Sequence, residues 1–124
     1  MTVGSIKENI KIERRVAITL ESAKNIIALG LNINLEKDYA THLGISDKQF
    51  EALGVKFYDS SSKVIDNSKL LLKVDCPSDE EIKYLKEKTV LVGIFNPTVN
   101  ENKFKEILKK NISIFSLELL PRIS

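Results

Sequence analysis

The chain has 124 residues, with 19 Lys+Arg against 17 Asp+Glu and a net charge of +2; the charges are scattered, which argues against nucleic acid or another polyanion as partner. A single cysteine, Cys76, excludes an internal disulfide and a cysteine-built zinc site, and a single histidine, His42, excludes a histidine cluster for metal. Apolar runs of only several residues fall far short of the ~20 that span a bilayer, and Met1 to Ser5 lacks the regions of a signal peptide, so the expectation is one soluble, cytoplasmic domain with one core.

Taken in order, Thr2 to Ser5 reads as a short strand and Ile6 to Arg15 as a polar, charged loop that ends where Val16-Ala17-Ile18 turns apolar. Thr19 is placed as N-cap of a first helix whose Leu20, Ala23 and Ile27 share a face, with Ile26 beside it and Gly30 as stop. Leu31 to Glu36 alternates as a strand. Ser46 with Gln49 makes a capping box for the next helix, Ile45 is spaced to staple onto Phe50, and Gly54 ends it before a strand at Val55 to Tyr58. Lys63 to Asn67 allows at most a short helix.

The apolar run Leu70-Leu71-Leu72-Lys73-Val74 is bounded by Asn67-Ser68 and Pro77-Ser78, which predicts a central strand buried on both faces. Lys73 is its anomaly. An unpaired buried ammonium costs several kcal/mol, so Lys73 must either reach solvent along its stem or meet an anion, and in a parallel sheet that end of a strand is where ligands bind. Cys76 reads as a passive small side chain and His42 as a surface loop residue.

Ser78 with Glu81 offers another capping box for a helix running to about Lys86. Thr89 to Phe95 is β-rich and should lie beside the central strand, with Asn96-Pro97 breaking it. Asn100 is placed as cap of a last helix that turns Phe104, Ile107 and Leu108 to the core, and Ile112 to Leu117 closes the pattern as a strand. The recurrence of helix, stop and β-branched strand is the grammar of βαβ units. It predicts a doubly wound α/β domain: a Rossmann-like (flavodoxin-like) parallel sheet with helices on both faces.

The sequence lacks a Gly-x-Gly-x-x-Gly after a strand and a P-loop, so a complete dehydrogenase is excluded. A receiver-like switch is disfavoured as well, because the first strand ends in Gly4-Ser5-Ile6-Lys7 and Asp75 has no acidic neighbours.

Several separated pieces nevertheless resemble one family. These are Glu13-Arg14-Arg15-Val16-Ala17-Ile18-Thr19, Ser46-Asp47, Leu72-Lys73-Val74 with Pro77, Pro97 with Asn100, and Glu118-Leu119-Leu120-Pro121-Arg122-Ile123-Ser124. In order and spacing they resemble the N-terminal domain shared by alanine dehydrogenase and the alpha subunit of proton-translocating NAD(P) transhydrogenase, across essentially the whole chain. Asn96 stands where alanine dehydrogenases carry a substrate-side histidine, and an amide cannot replace an imidazole's acid-base chemistry. The closing Pro121-Arg122-Ile123-Ser124 also looks like the transhydrogenase version.

The resemblance implies hydride transfer between NAD(H) and NADP(H), coupled to proton movement across a membrane. It makes this chain one wall of the NAD(H) cleft. NAD would be held mainly by a Rossmann half absent from residues 1–124, and NADP by a partner domain. Arg122, Ile123 and Ser124 are then the cofactor-side candidates, opening a loop toward the nicotinamide. Arg15 and Lys73 match residues that in alanine dehydrogenase hold the substrate carboxylate and carbonyl; read alone, Arg15 is equally an exposed arginine or half of an ion pair.

Implied partners are that Rossmann half, other transhydrogenase domains or subunits including a membrane part, and a second copy in a homodimer, at the inner face of the membrane. The domain should be incomplete, leaving a sheet face with Val90, Val92 and Ile114 partly uncovered. Two departures stand out: Lys37 to Leu43 replaces a glycine-rich turn, and Leu20 replaces a proline. The alternatives are the substrate domain of an alanine dehydrogenase-like enzyme and a non-catalytic stand-alone interaction module.

Overall fold

The structure is a computed structural model that describes residues 1–95 and 99–116. Its elements are β1 (Thr2–Ser5), α1 (Leu20–Ala28), β2 (Asn32–Glu36), a 3-10 turn (Thr41–Leu43), α2 (Asp47–Glu51), β3 (Lys56–Tyr58), α3 (Ser61–Asp66), β4 (Leu70–Lys73), α4 (Asp79–Tyr84), β5 (Val90–Gly93), α5 (Glu101–Lys109) and β6 (Ser113–Ser116). All strand pairs are parallel, in the order β3-β2-β1-β4-β5-β6. The winding reverses between β1 and β4, and in such sheets the crevice beyond the C-terminal ends of those two strands is the binding position.

Local chemistry sets the joints. Thr19 caps α1 by accepting from Ser22 N at 3.1 Å while Ser22 Oγ accepts from Thr19 N at 2.7 Å. Reciprocal boxes join Ser46 to Gln49 and Ser78 to Glu81. The repeated Ala-Leu-Gly is a repeated stop: Gly30 and Gly54 take positive φ, and the amides of Leu31 and Val55 reach back to the carbonyls of Ile26 and Phe50.

The sheet buries two clusters, one on each face. Val3, Ile33 and Leu35 pack with Ala23 of α1 and Phe50 of α2, and Leu70 and Leu72 join this cluster partly buried. On the opposite face Leu71 and Leu91 pack with Val64, Ile65, Ile82 and Ile107 from α3, α4 and α5. At ~1.5–3 kcal/mol for each large apolar side chain fully buried, these clusters supply the main favourable term.

Several expectations need correction. Phe104 and Ile107 pack inward on α5, but Leu108 is 58% exposed, one position past the buried stripe. Asn100 sits at the N-cap without a side-chain capping bond to the helix; its amide donates to Phe95 O at 2.7 Å. Helix α4 ends at Tyr84, and Lys110 Nζ donates to the carbonyls of Ile82 and Lys83 in its last turn.

The partly uncovered sheet face exists, though with one residue exchanged. Register aligns Leu72, Val92 and Phe115 on one face, where Val90 and Val92 are half-buried and Phe115 is 58% exposed. Ile114 points the other way and packs against the covered cluster.

Candidate functional site

Strands β1 and β4 part company at the switch point. Their backbone pairing ends at Gly4 and Leu71, so the β4 groups beyond need other partners. Side chains from β1 and its following loop take them over. Ser5 Oγ donates to Leu72 O at 2.6 Å, and the Glu8 carboxylate accepts from Val74 N at 2.9 Å and Asp75 N at 3.1 Å.

Glu8 also answers the anomaly of Lys73. Its Oε1 lies 2.9 Å from Lys73 Nζ, with the Lys73 side chain 4% exposed and that of Glu8 0%. Lys73 therefore neither reaches solvent nor waits for an external anion: the anion is Glu8, buried inside what reads as a polar loop. An ion pair this deep is held in place because losing either partner strands the other charge.

Two cavities open here. One, of about 340 Å³, is lined by Arg15, Val16 and Ala17 from the loop before α1 and by Leu72, Lys73, Val74, Val92, Gly93 and Ile94 from the ends of β4 and β5. The other, of about 460 Å³, lies between the segments after β1 and β4 and is reached by Lys7, Glu8, Glu36, Lys73, Asp75 and Glu81. Lys73 borders both. Asp75 thus has acidic company in space that its sequence neighbours do not give it, but those carboxylates are engaged: Glu8 as above, Glu36 with Lys7 N and Glu81 with Ser78 N, each at 2.9 Å.

Arg15 lines the smaller of these two cavities. Its guanidinium makes a two-point contact with Glu13, at 2.9 Å and 2.8 Å, which holds the Glu13 carboxyl below its usual range and raises Arg15. The Arg15 side chain is 66% exposed, so this pair adds little stability and leaves the cation near solvent for a ligand to recruit. Arg15, paired with Glu13, and Lys73, paired with Glu8, thus border the same cavity.

Burial pushes the Cys76 thiol up to about 11, which leaves it a packed, unreactive side chain. His42 lies within the 3-10 turn and is half-buried, with Nε2 2.8 Å from Arg14 O. In the stretch 37–43, Asp38 adopts φ 60° and Tyr39 is buried, with its hydroxyl 2.7 Å from Ser5 Oγ. Asn96 and the segment with Arg122, Ile123 and Ser124 lie outside the described residues.

Residues 4–124 match the family described as "Alanine dehydrogenase/PNT, N-terminal domain". An NAD(P) transhydrogenase subunit alpha protein of Rickettsia prowazekii is 33% identical over 129 aligned positions, covering 100% of this chain and 33% of the relative. The NAD(P) transhydrogenase subunit alpha of Haemophilus influenzae is 32% identical over 124 positions, covering 100% of this chain and 24% of its own length. Among solved structures, the transhydrogenase from Sinorhizobium meliloti superposes with a TM-score of 0.92 at 28% identity, covering 100% of this chain and 37% of that one. The chain thus spans a third or less of the length of these curated relatives.

Proposed function

The chain belongs to the alanine dehydrogenase/PNT N-terminal domain family, and from that premise we propose that it is the N-terminal part of a proton-translocating NAD(P) transhydrogenase alpha subunit, forming one wall of the NAD(H) cleft. The observation that carries this reading is the switch-point crevice. Arg15, paired with Glu13, and Lys73, paired with Glu8, line one cavity at the C-terminal strand ends, yet β1 runs into an irregular segment instead of a glycine-rich helix start. Such a crevice can position and polarise, but the described residues offer no cradle for a pyrophosphate.

In this reading NAD(H) supplies the hydride, and a Rossmann half of the same subunit holds most of it. This chain supplies shape and charge: Val16, Ala17, Leu72 and Val92 give an apolar wall that excludes water, and Arg15 gives a recruitable cation at the rim. Arg122, with Ile123 and Ser124, is proposed to extend this wall toward the nicotinamide. NADP would sit on a partner domain. A membrane part and a second copy of the subunit complete the proposed assembly at the inner membrane face.

An alanine dehydrogenase-like enzyme is the second reading, since the family contains both, and Asn96 is the residue that weighs against it. A subunit joining this chain to the rest of the Rickettsia relative separates the two. Supplied with the relative's partner subunits, it should reduce an NADP analogue from NADH and fail to reduce NAD with alanine. Alanine-dependent NAD reduction without transhydrogenation would overturn the assignment.

A further inference from the structure

The cavity bearing Arg15 has two of its walls from distant parts of the chain, residues 15–17 and residues 72–74, and among the described residues no backbone hydrogen bond joins them. A line of side-chain bonds runs behind it instead. Ile18 N donates to Tyr39 Oη at 3.1 Å, Tyr39 Oη is 2.7 Å from Ser5 Oγ, and Ser5 Oγ donates to Leu72 O at 2.6 Å. Because the single Ser5 hydroxyl proton is committed to Leu72 O, the Tyr39 proton points to Ser5, and the line has one direction from amide to carbonyl.

All the side chains in it are buried: Ser5, Ile18 and Tyr39 are each at or below 1% exposure. A fully satisfied polar line in such a setting is stiff, since breaking any bond leaves a buried donor or acceptor orphaned. The Tyr39 ring is wedged edge-on against Phe50, 6.1 Å between centroids, so the hydroxyl is fixed by the core of the first cluster.

We propose that Tyr39, acting through Ser5, is a strut that sets the separation of the two walls of the Arg15–Lys73 cavity, and so is a positioning residue for the ligand received there. The assignment of that ligand as NAD(H) rests on the function proposed above; the strut does not.

The test uses the full chain with Tyr39→Phe and, separately, Ser5→Ala. Phenylalanine fills the same volume, so a merely space-filling Tyr39 would leave local protection untouched. Amide exchange read by NMR should accelerate about tenfold or more at Ile18 and its neighbours 16–17 in both variants, a change of ~1.4 kcal/mol in local opening, with Ile33 and Phe50 unchanged. The Ile18 amide resonance should shift, and the double variant should add little to either single one. Unchanged exchange at 16–18, or a uniform acceleration everywhere, overturns the strut.

In the joined subunit Tyr39→Phe should raise the KM for NADH several-fold with kcat less affected. Altered exchange with unaltered kinetics would uphold the strut and remove the cavity from the NAD(H) cleft, so the two ideas fail separately.

Discussion

Replacing Glu8 by glutamine tests the pair at the centre of the crevice. The substitution keeps the shape and removes the charge. Lys73 would be left as an uncompensated ammonium in a site where its side chain is 4% exposed, and breaking a buried pair from one side costs ~3–5 kcal/mol. In the native chain Glu8 Oε1 accepts from both Lys73 Nζ and Asp75 N, so the glutamine carbonyl can keep those two contacts. Its amide nitrogen then faces Val74 N, donor against donor, and strands a buried N–H at ~1–3 kcal/mol.

The two penalties overlap in part, giving an expected loss of roughly 4–6 kcal/mol against a typical domain stability of ~5–15 kcal/mol. Urea unfolding followed by far-UV circular dichroism should show it as a midpoint lowered by about 1.3 M or more, for a slope of ~1–3 kcal/mol per M. Adding Lys73→Met to Glu8→Gln should recover much of the loss, because the stranded charge is gone. Glu8→Gln within about 1 kcal/mol of the native chain would refute the reasoning, since the pair would then be solvated or replaceable.

Three further outcomes are expected. Arg15→Ala should change stability by no more than about 0.5 kcal/mol, because its bond to Glu13 is exposed, while lowering turnover of the joined subunit; a large drop in melting temperature with normal turnover would make it structural. The open face of β4 to β6 should drive weak self-association. Sedimentation at several concentrations should detect it in the native chain and find less of it in Phe115→Ser; a strict monomer at all concentrations would mean the face is adequately covered as it stands. Alkaline stability should follow Tyr39: burial raises its phenol from 10.0 to about 12, so its contribution is complete below the unfolded value and disappears as pH rises through the folded one. Tyr39→Phe should flatten the pH dependence of urea midpoints in that window, and an equally steep dependence would contradict it.

What could be read from the chain alone follows from the range of the interactions. The caps at Thr19, Ser46 and Ser78 and the stops at Gly30 and Gly54 involve partners within a few residues, so the joints and the βαβ order were legible. Glu8 was not. Its partners are 65 to 67 residues away, and between Lys7 and Asn9 it reads as one more solvated charge. The signal that could have found it was Lys73 itself, because a lysine in a buried strand that does not reach solvent needs an anion, and the crevice side of β1 is a near source. The parity of the open face was hidden for a different reason. Leu71 and Leu72, Leu91 and Val92, Ile114 and Phe115 are all apolar pairs, so alternation cannot tell which member meets the helices. Tyr39 likewise finds its partners Ser5 and Ile18 at separations of 34 and 21 residues, beyond the reach of local pattern.

Calorimetric titration with NADH tests most directly the claim that this chain is one wall of a cleft whose cradle lies elsewhere. It should be run on the 124-residue chain alone and on the subunit joined to the relative's remaining length. The account predicts no saturable heat from the chain alone and tight, single-site binding in the joined subunit. A low micromolar dissociation constant for the chain alone would contradict it, because the described residues would then have to hold the dinucleotide themselves.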